Sequence, residues 1–267
     1  MPMLHPTLAR NNVNIIGNGQ QVILFAHGFG CDQTAWQFVI DAFTDDFKVV
    51  LFDYTGSGKS DISKYSTTKY GVIDGYVQDV LDICEALNLK DVIFVGHSVS
   101  CMIGLLAAIK APEYFSKLVF VGPSARYLNE GDYVGGFERE DLEKLFELME
   151  GNYLGWSSMM APNIMGNAER PELGGFLTSS FCATDPDVAK DFAKVTFFSD
   201  NRADLGNLTV ESLTLQCAED IIAPDAVGKF INEHTPKNQI VFLNATGHCP
   251  HISEPEETIQ AIKAFVN

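Results

Sequence analysis

Six short, almost uninterrupted apolar runs punctuate the chain, and they constrain its fold more than any other feature. They are Gln21–Phe25, Lys48–Phe52, Val92–Val95, Leu118–Val121, Leu213–Cys217 and Gln239–Leu243. A strand that wets one face alternates apolar and polar residues. A strand without that alternation is buried on both faces, as in a parallel sheet covered by helices. Helical patterns fall between the runs. Val77, Val80, Leu81, Cys84 and Leu87 share one face of Val77–Leu87, and Ser98–Ala111 is apolar nearly all round. Ile259, Ile262 and Phe265 mark a closing amphipathic helix over Thr258–Val266. This alternation predicts an α/β fold with an open, mainly parallel central sheet flanked by helices. A length of 267 residues suits one such domain carrying an insertion.

The rhythm breaks between residues 123 and 207. Helical patterns occur there, over Glu138–Met149, Asn152–Met160 and Pro186–Phe198, but strand-like runs resume only at Leu213. Such an excursion between two sheet strands predicts an inserted helical lid, 123–207, on a core made of 1–122 and 208–267. The excursion is rich in large apolar side chains: Tyr127, Phe137, Phe146, Trp156, Met159, Met160, Phe176, Phe181, Phe192, Phe197 and Phe198. For any single one, packing of the lid onto the core is the default role. The excess is a candidate lining for an apolar pocket.

Composition narrows the partners. Asp and Glu outnumber Lys and Arg by 35 to 18, a formal charge of −17, so phosphate backbones are repelled and nucleic acid is not an expected partner. No apolar stretch approaches the roughly 20 residues that cross a bilayer. The opening residues lack the basic segment and apolar run of a secretory signal. A cytoplasmic protein without membrane association is expected, with a monomer as the default state. Cys31, Cys84, Cys101, Cys182, Cys217 and Cys249 are scattered without a C-x-x-C pair, and read as free thiols.

The chemistry concentrates in VIFVGHSVSCMIGLLAAI, where an apolar strand meets Gly96-His97-Ser98-Val99-Ser100 and a helix follows at once. A sharp strand–turn–helix of this kind exposes a serine hydroxyl at the sheet's carboxyl edge, and needs small neighbours because strand and helix pass closely. Ser100 stands where a second glycine is usual, which predicts a slightly tighter turn. A serine hydroxyl needs a base to become a nucleophile. ATGHCPHIS, after the last strand run, supplies His248; LTLQCAEDIIAP supplies Asp220, with Glu219 the rival acid. The order Ser98, Asp220, His248, each after a strand, is the order a hydrolytic triad takes on such a sheet. The His27-Gly28-Phe29-Gly30 loop after the first run can turn backbone N–H groups toward the serine, which makes the amides of Phe29 and Val99 the expected oxyanion donors.

Other signals carry less. DYTGSGKSD ends like a phosphate-binding loop, but Asp53 stands where that motif needs glycine; a loop at the rim of the site is the expectation. His248, Cys249 and His251 lack a partner cluster for zinc, and no cofactor or metal is expected. His27 and His97 are expected to orient the loops they sit in, and His5 and His234 to lie on the surface.

With these residues in hand, the chain resembles the RsbQ-like α/β-hydrolases of bacterial stress signalling and their plant relatives, the karrikin and strigolactone receptors. The matching stretches are FAHGFGCDQTAW, VVLFDYTGSGKSD, YVQDVLDICEALNL, VFVGPSARYLN, DYVGGFE, FFSDNRADL, LQCAEDIIAP and GHCPHISEPEETI, from about residue 10 to the C-terminus. The elbow, with serine as its second small residue, looks closer to the plant form, whereas CDQTAW, QCAEDIIAP and FCATDPD look bacterial. The resemblance implies a four-helix lid over an apolar pocket lined by Phe29, His97, Tyr127, Phe137, Trp156, Met160 and Phe197. Plant relatives tend to carry an aromatic at the position of Met160. It further implies hydrolysis of a small apolar ester, lactone or similar acyl compound by Ser98, His248 and Asp220, coupled to signalling. The partner would be a PAS-domain phosphatase of the RsbP type in a bacterial pathway that frees a sigma factor, or an F-box protein and a repressor in a plant-type one.

Overall fold

The computed structural model describes residues 5–267. Seven strands form one sheet: β1 (Asn14–Ile16), β2 (Val22–Ala26), β3 (Lys48–Leu51), β4 (Val92–His97), β5 (Phe115–Val121), β6 (Glu211–Glu219) and β7 (Asn238–Thr246), in the order β1-β3-β2-β4-β5-β6-β7. All six expected runs are strands, and they pair in parallel. β1, antiparallel to β3 at the edge, was not foreseen. Its three residues are all exposed, so it lacks the buried length that marks the others.

Side chains along β2 alternate between the two faces, and each face has its own core. Val22, Leu24 and Ala26 enter the cluster covered by α1 (Ile73–Ala86), α2 (Val99–Lys110) and α7 (Asp225–His234). Ile23 and Phe25 enter the cluster on the opposite face, where Trp36, Phe43 and the final helix α8 (Pro255–Val266) pack. Burial on both sides is the physical reason that the strand runs carry no polar alternation.

Between β5 and β6 lie four helices: α3 (Arg139–Gly151), α4 (Tyr153–Met165), α5 (Pro171–Ala183) and α6 (Pro186–Phe198). Only three helical patterns stood out in this stretch. α5 escaped notice because Gly174, Gly175, Ser179 and Ser180 are poor helix formers, so packing rather than propensity holds it. α7 was missed as well, since its ten residues bury only Val227, Gly228 and Ile231. The four helices close a third apolar cluster over the carboxyl ends of the strands. In it Phe146, Trp156 and Phe181 meet Cys31, Tyr127 and Cys249 from the sheet edge. Among the described residues no helix is long and apolar enough to cross a membrane.

Candidate active site

β4 leads into Ser98, whose backbone is held at φ 57° and ψ −124°. A non-glycine residue at positive φ costs about 1–3 kcal/mol and persists only where its surroundings enforce it. Here the Ser98 N–H donates to the Val121 carbonyl of β5 at 2.9 Å. α2 begins at Val99, whose amide, as the first of the helix, has no intrahelical acceptor. The aligned peptides of α2 concentrate partial positive charge at this end. The Ser100 hydroxyl donates to the His27 carbonyl, and the Tyr54 phenol donates to Ser100 Oγ at 2.9 Å. The serine that departs from the usual glycine thus ties α2 to the ends of β2 and β3.

His248 follows β7. Its Nδ1 lies 2.7 Å from Asp220 Oδ2 and its Nε2 lies 2.8 Å from Ser98 Oγ. An ionised carboxylate only accepts, so Nδ1 carries the proton and the Nε2 lone pair faces the serine O–H. Asp220 Oδ1 accepts from the amides of Ile222 and Ala223 at 2.8 and 3.1 Å. Burial pushes the Asp220 carboxyl up, but His248 and these amides outweigh it and hold it below the ordinary carboxylate value. Glu219 is exposed, and only its carbonyl takes part, accepting from the Gly247 amide at 2.7 Å.

Two further side chains touch this assembly. His97 Nε2–H donates to the His248 carbonyl at 2.8 Å. Burial, reinforced by the neighbouring His248 ring, pushes the His97 imidazole down to about 3, so it stays neutral. The Tyr127 phenol lies 3.1 Å from Ser98 Oγ. Since the serine proton points to His248, the phenol is the donor in that contact. His27 braces its own loop, donating from Nδ1 to the Gly28 carbonyl at 2.9 Å while Nε2 accepts from the Tyr54 amide at 3.2 Å.

The loop after β2 crosses close to the serine. A Cβ on Gly28 would stand 2.6 Å from His97 Nδ1 and 3.2 Å from Ser98 Cβ, so only glycine permits the approach. The next residue, Phe29, borders the chamber that Ser98 faces. Val99 opens α2, and a backbone N–H at a helix N-terminus can hold an oxyanion.

Two apolar chambers adjoin one another, and Ser98 borders one of them. The inner one is bounded by Ser98, His97, His248, Cys31, Cys249, Phe181 and Thr196. The outer one lies among α3, α4 and α6 and is bounded by Phe137, Leu142, Phe146, Met149, Trp156 and Met160. Phe29, Ile164, Phe197 and Ile222 border both. Of the expected pocket residues, Phe29, His97, Phe137, Trp156, Met160 and Phe197 bound these chambers. Tyr127 does not; it is buried against Phe197 and meets the serine instead.

The 53–61 loop is not at the rim of these chambers. The Asp53 carboxylate draws it inward, accepting from the Gln33 and Lys59 amides at 2.9 Å each and from Asn12 Nδ2 at 2.7 Å. Its glycines face a separate polar groove beside Thr184 and Asp185. His5 and His234 are exposed, whereas His251 is buried between Trp36 and His97, with ring centroids 4.4 Å from each. Ile164, Ile222, Cys31 and Cys249 were not foreseen as pocket residues. For Ile222 and Cys249 the only signal was adjacency to Asp220 and His248. Ile164 lies beyond the expected end of its helix. All six cysteines are free thiols.

Comparison with known proteins agrees with this architecture. Residues 23–261 match the alpha/beta hydrolase family. The chain is 36% identical over 260 residues to a strigolactone esterase of Arabidopsis thaliana, covering 97% of both chains. It is 37% identical over 262 residues to a karrikin insensitive 2 receptor of Petunia hybrida, covering 96% of both. Among solved structures it superposes on a hydrolase from Oleispira antarctica with a TM-score of 0.95 and 43% identity, covering 97% of this chain and 96% of that one. The chain belongs to the alpha/beta hydrolase family.

Proposed function

We propose that this chain is a serine hydrolase that cleaves small, uncharged, apolar esters or lactones, with residues 123–207 as the lid over its pocket. The observation that carries this reading is the continuous hydrogen-bonded series Asp220–His248–Ser98 at the floor of an apolar chamber. In this reading Ser98 Oγ attacks the acyl carbon while its proton passes to His248 Nε2. Asp220 holds the tautomer and stabilises the imidazolium. The amides of Phe29 and Val99 receive the oxyanion. Collapse of the tetrahedral intermediate expels the alkoxide, which takes the proton from His248. Water then attacks the acyl-enzyme by the same route, giving the acid and restoring Ser98. Hydrolysis of p-nitrophenyl butyrate by the wild type and by Ser98→Ala tests this. Loss of at least about a thousandfold in the variant is expected, given what removal of a triad member does elsewhere; equal rates would refute the reading.

A second reading is a signalling role, in which turnover is read by a partner on the lid surface. One form is an RsbQ-like positive regulator acting with a PAS-domain phosphatase, for which the 43% identity to a bacterial hydrolase gives context without naming the partner. The other is a receptor in which slow hydrolysis serves partner binding, which the strigolactone- and karrikin-related names of the relatives favour. The lid bears exposed apolar side chains at Leu148, Leu154 and Met159. Polar substitutions there that abolish a cellular response while sparing ester turnover would support signalling. A response that tracked turnover alone would remove that support.

A further inference from the structure

The base of this site is fastened to the cap as well as to the sheet. Four hydrogen bonds run between the α4–α5 turn and the segment that carries His248. The His248 amide donates to the Ile164 carbonyl at 2.9 Å, and Asn167 Nδ2 donates to the Thr246 carbonyl at 2.9 Å. Arg170 Nη1 donates to the Ser253 carbonyl and Nη2 to the Glu254 carboxylate, each at 2.8 Å. The two backbones are in contact: a Cβ on Gly247 would stand 1.9 Å from the Met165 carbonyl oxygen.

Asn167 is the centre of this junction. It sits at φ 56° directly after Gly166 at φ 62°, a left-handed pair that glycine fills most easily and asparagine tolerates better than most residues. Its nearly buried amide does what glycine cannot. Nδ2 donates at 2.9 Å to two carbonyls, Met165 in the cap and Thr246 two residues before His248, while Oδ1 accepts from Arg170. The adjoining Ile164 borders both chambers, and its carbonyl holds the His248 amide. The chamber wall and the base therefore share one anchored segment.

We infer that Asn167 is a positioning residue for His248, fixing the general base to the end of α4 so that cap placement and Nε2 aim are set together. This rests on the hydrolase reading above. It follows that the α4–α5 end of the cap is not a free flap. Movement that admits substrate occurs elsewhere, or else carries His248 with it and suspends catalysis while the cap is displaced.

The test uses the full chain with three variants. Asn167→Asp keeps the shape, the tolerance of positive φ and the contact with Arg170, but turns two donated bonds into oxygen–oxygen repulsions. Asn167→Gly keeps the backbone and merely removes the bridge. Ser98→Ala reports on the hydrolase reading itself. With p-nitrophenyl butyrate, Asn167→Asp should lower kcat about 10- to 100-fold, the scale on which a misplacement near 1 Å acts. KM should stay within about twofold. Asn167→Gly should fall between Asp and wild type, and the rate of Ser98 phosphonylation should drop in step with kcat. Thermal melting separates this from general loss of structure. If both Asn167 variants keep kcat within twofold of wild type, or lose rate only in proportion to unfolded protein, the inference is overturned while the hydrolase reading stands. If Ser98→Ala is as active as wild type, both fall.

Discussion

The phenol of Tyr127 donates to Ser98 Oγ across 3.1 Å, so this oxygen holds two hydrogen bonds at once, one given to His248 and one received. Burial pushes the phenol well up, and it stays protonated throughout the useful pH range. A donor on the attacking oxygen draws density from it before attack. Once Oγ is an ester oxygen it is a weak acceptor, and the same phenol is free to orient the incoming water. Tyr127→Phe should therefore leave acylation equal or slightly faster and slow deacylation about fivefold, the worth of roughly 1 kcal/mol. Stopped-flow with p-nitrophenyl acetate checks this: the burst should grow relative to the steady state. A smaller burst would contradict the assignment.

The chambers offer no charge to an acyl chain, and their polar surface is confined to the end where Ser98 and His248 stand. Placing a carboxylate among Phe137, Trp156 and Phe197 costs several kcal/mol without a partner. The acidic surface, at −17, adds long-range repulsion. Mono-p-nitrophenyl succinate, similar in length to the butyrate ester, should accordingly show kcat/KM lower by at least about a hundredfold. Comparable values for the two esters would mean that acyl chains bind outside these chambers.

Three fully buried histidines predict an acid-sensitive fold. Burial lowers His27, pushes His97 down to about 3 and holds His251 well below its ordinary value. In the unfolded chain each takes a proton near 6.5. Below that pH the unfolded state binds protons that the folded state refuses, so stability falls with pH, for His97 down to about 3. The slope is at most about 1.4 kcal/mol per pH unit for each group. Melting temperature should drop by on the order of 10 °C between pH 7.5 and 5.0, at about 2–4 °C per kcal/mol. His251→Phe should reduce the pH slope by about one proton. A flat melting curve over that range would contradict the neutral assignment.

Two glycines should respond in opposite directions. Gly247 has φ 86° and faces the Met165 carbonyl, so alanine there is both strained and obstructed. A cost of about 2 kcal/mol or more, some 4–8 °C in melting temperature, is expected. Gly175 lies exposed inside α5 with open space around it, and Gly175→Ala should stabilise by about 0.5–1 kcal/mol. Differential scanning calorimetry of the two variants decides it, and equal effects would contradict the packing at the His248 loop.

The parallel sheet and the elbow were legible in the sequence because burial on both faces and a small–His–Ser–small turn leave local patterns. Asp220 and His248 were legible by order and by their places after strands. What escaped was set by packing between distant segments. β1 is too short to show a period, and α5 is held by its neighbours against weak propensity. Tyr127 was expected on the pocket wall and instead reaches Ser98, because its buried ring packs on Phe197 with the hydroxyl directed at Ser98 Oγ. Nothing local at Asn167 announces a partner 79 positions away.

The most direct measurement is peptide mapping by mass spectrometry after treatment with an alkyl fluorophosphonate, on the wild type and on His248→Ala. One phosphonyl group on Ser98, formed at least about a hundredfold more slowly without His248, is the predicted result. An adduct on another residue, or none while ester hydrolysis continues, would contradict Ser98 as the nucleophile and His248 as its base.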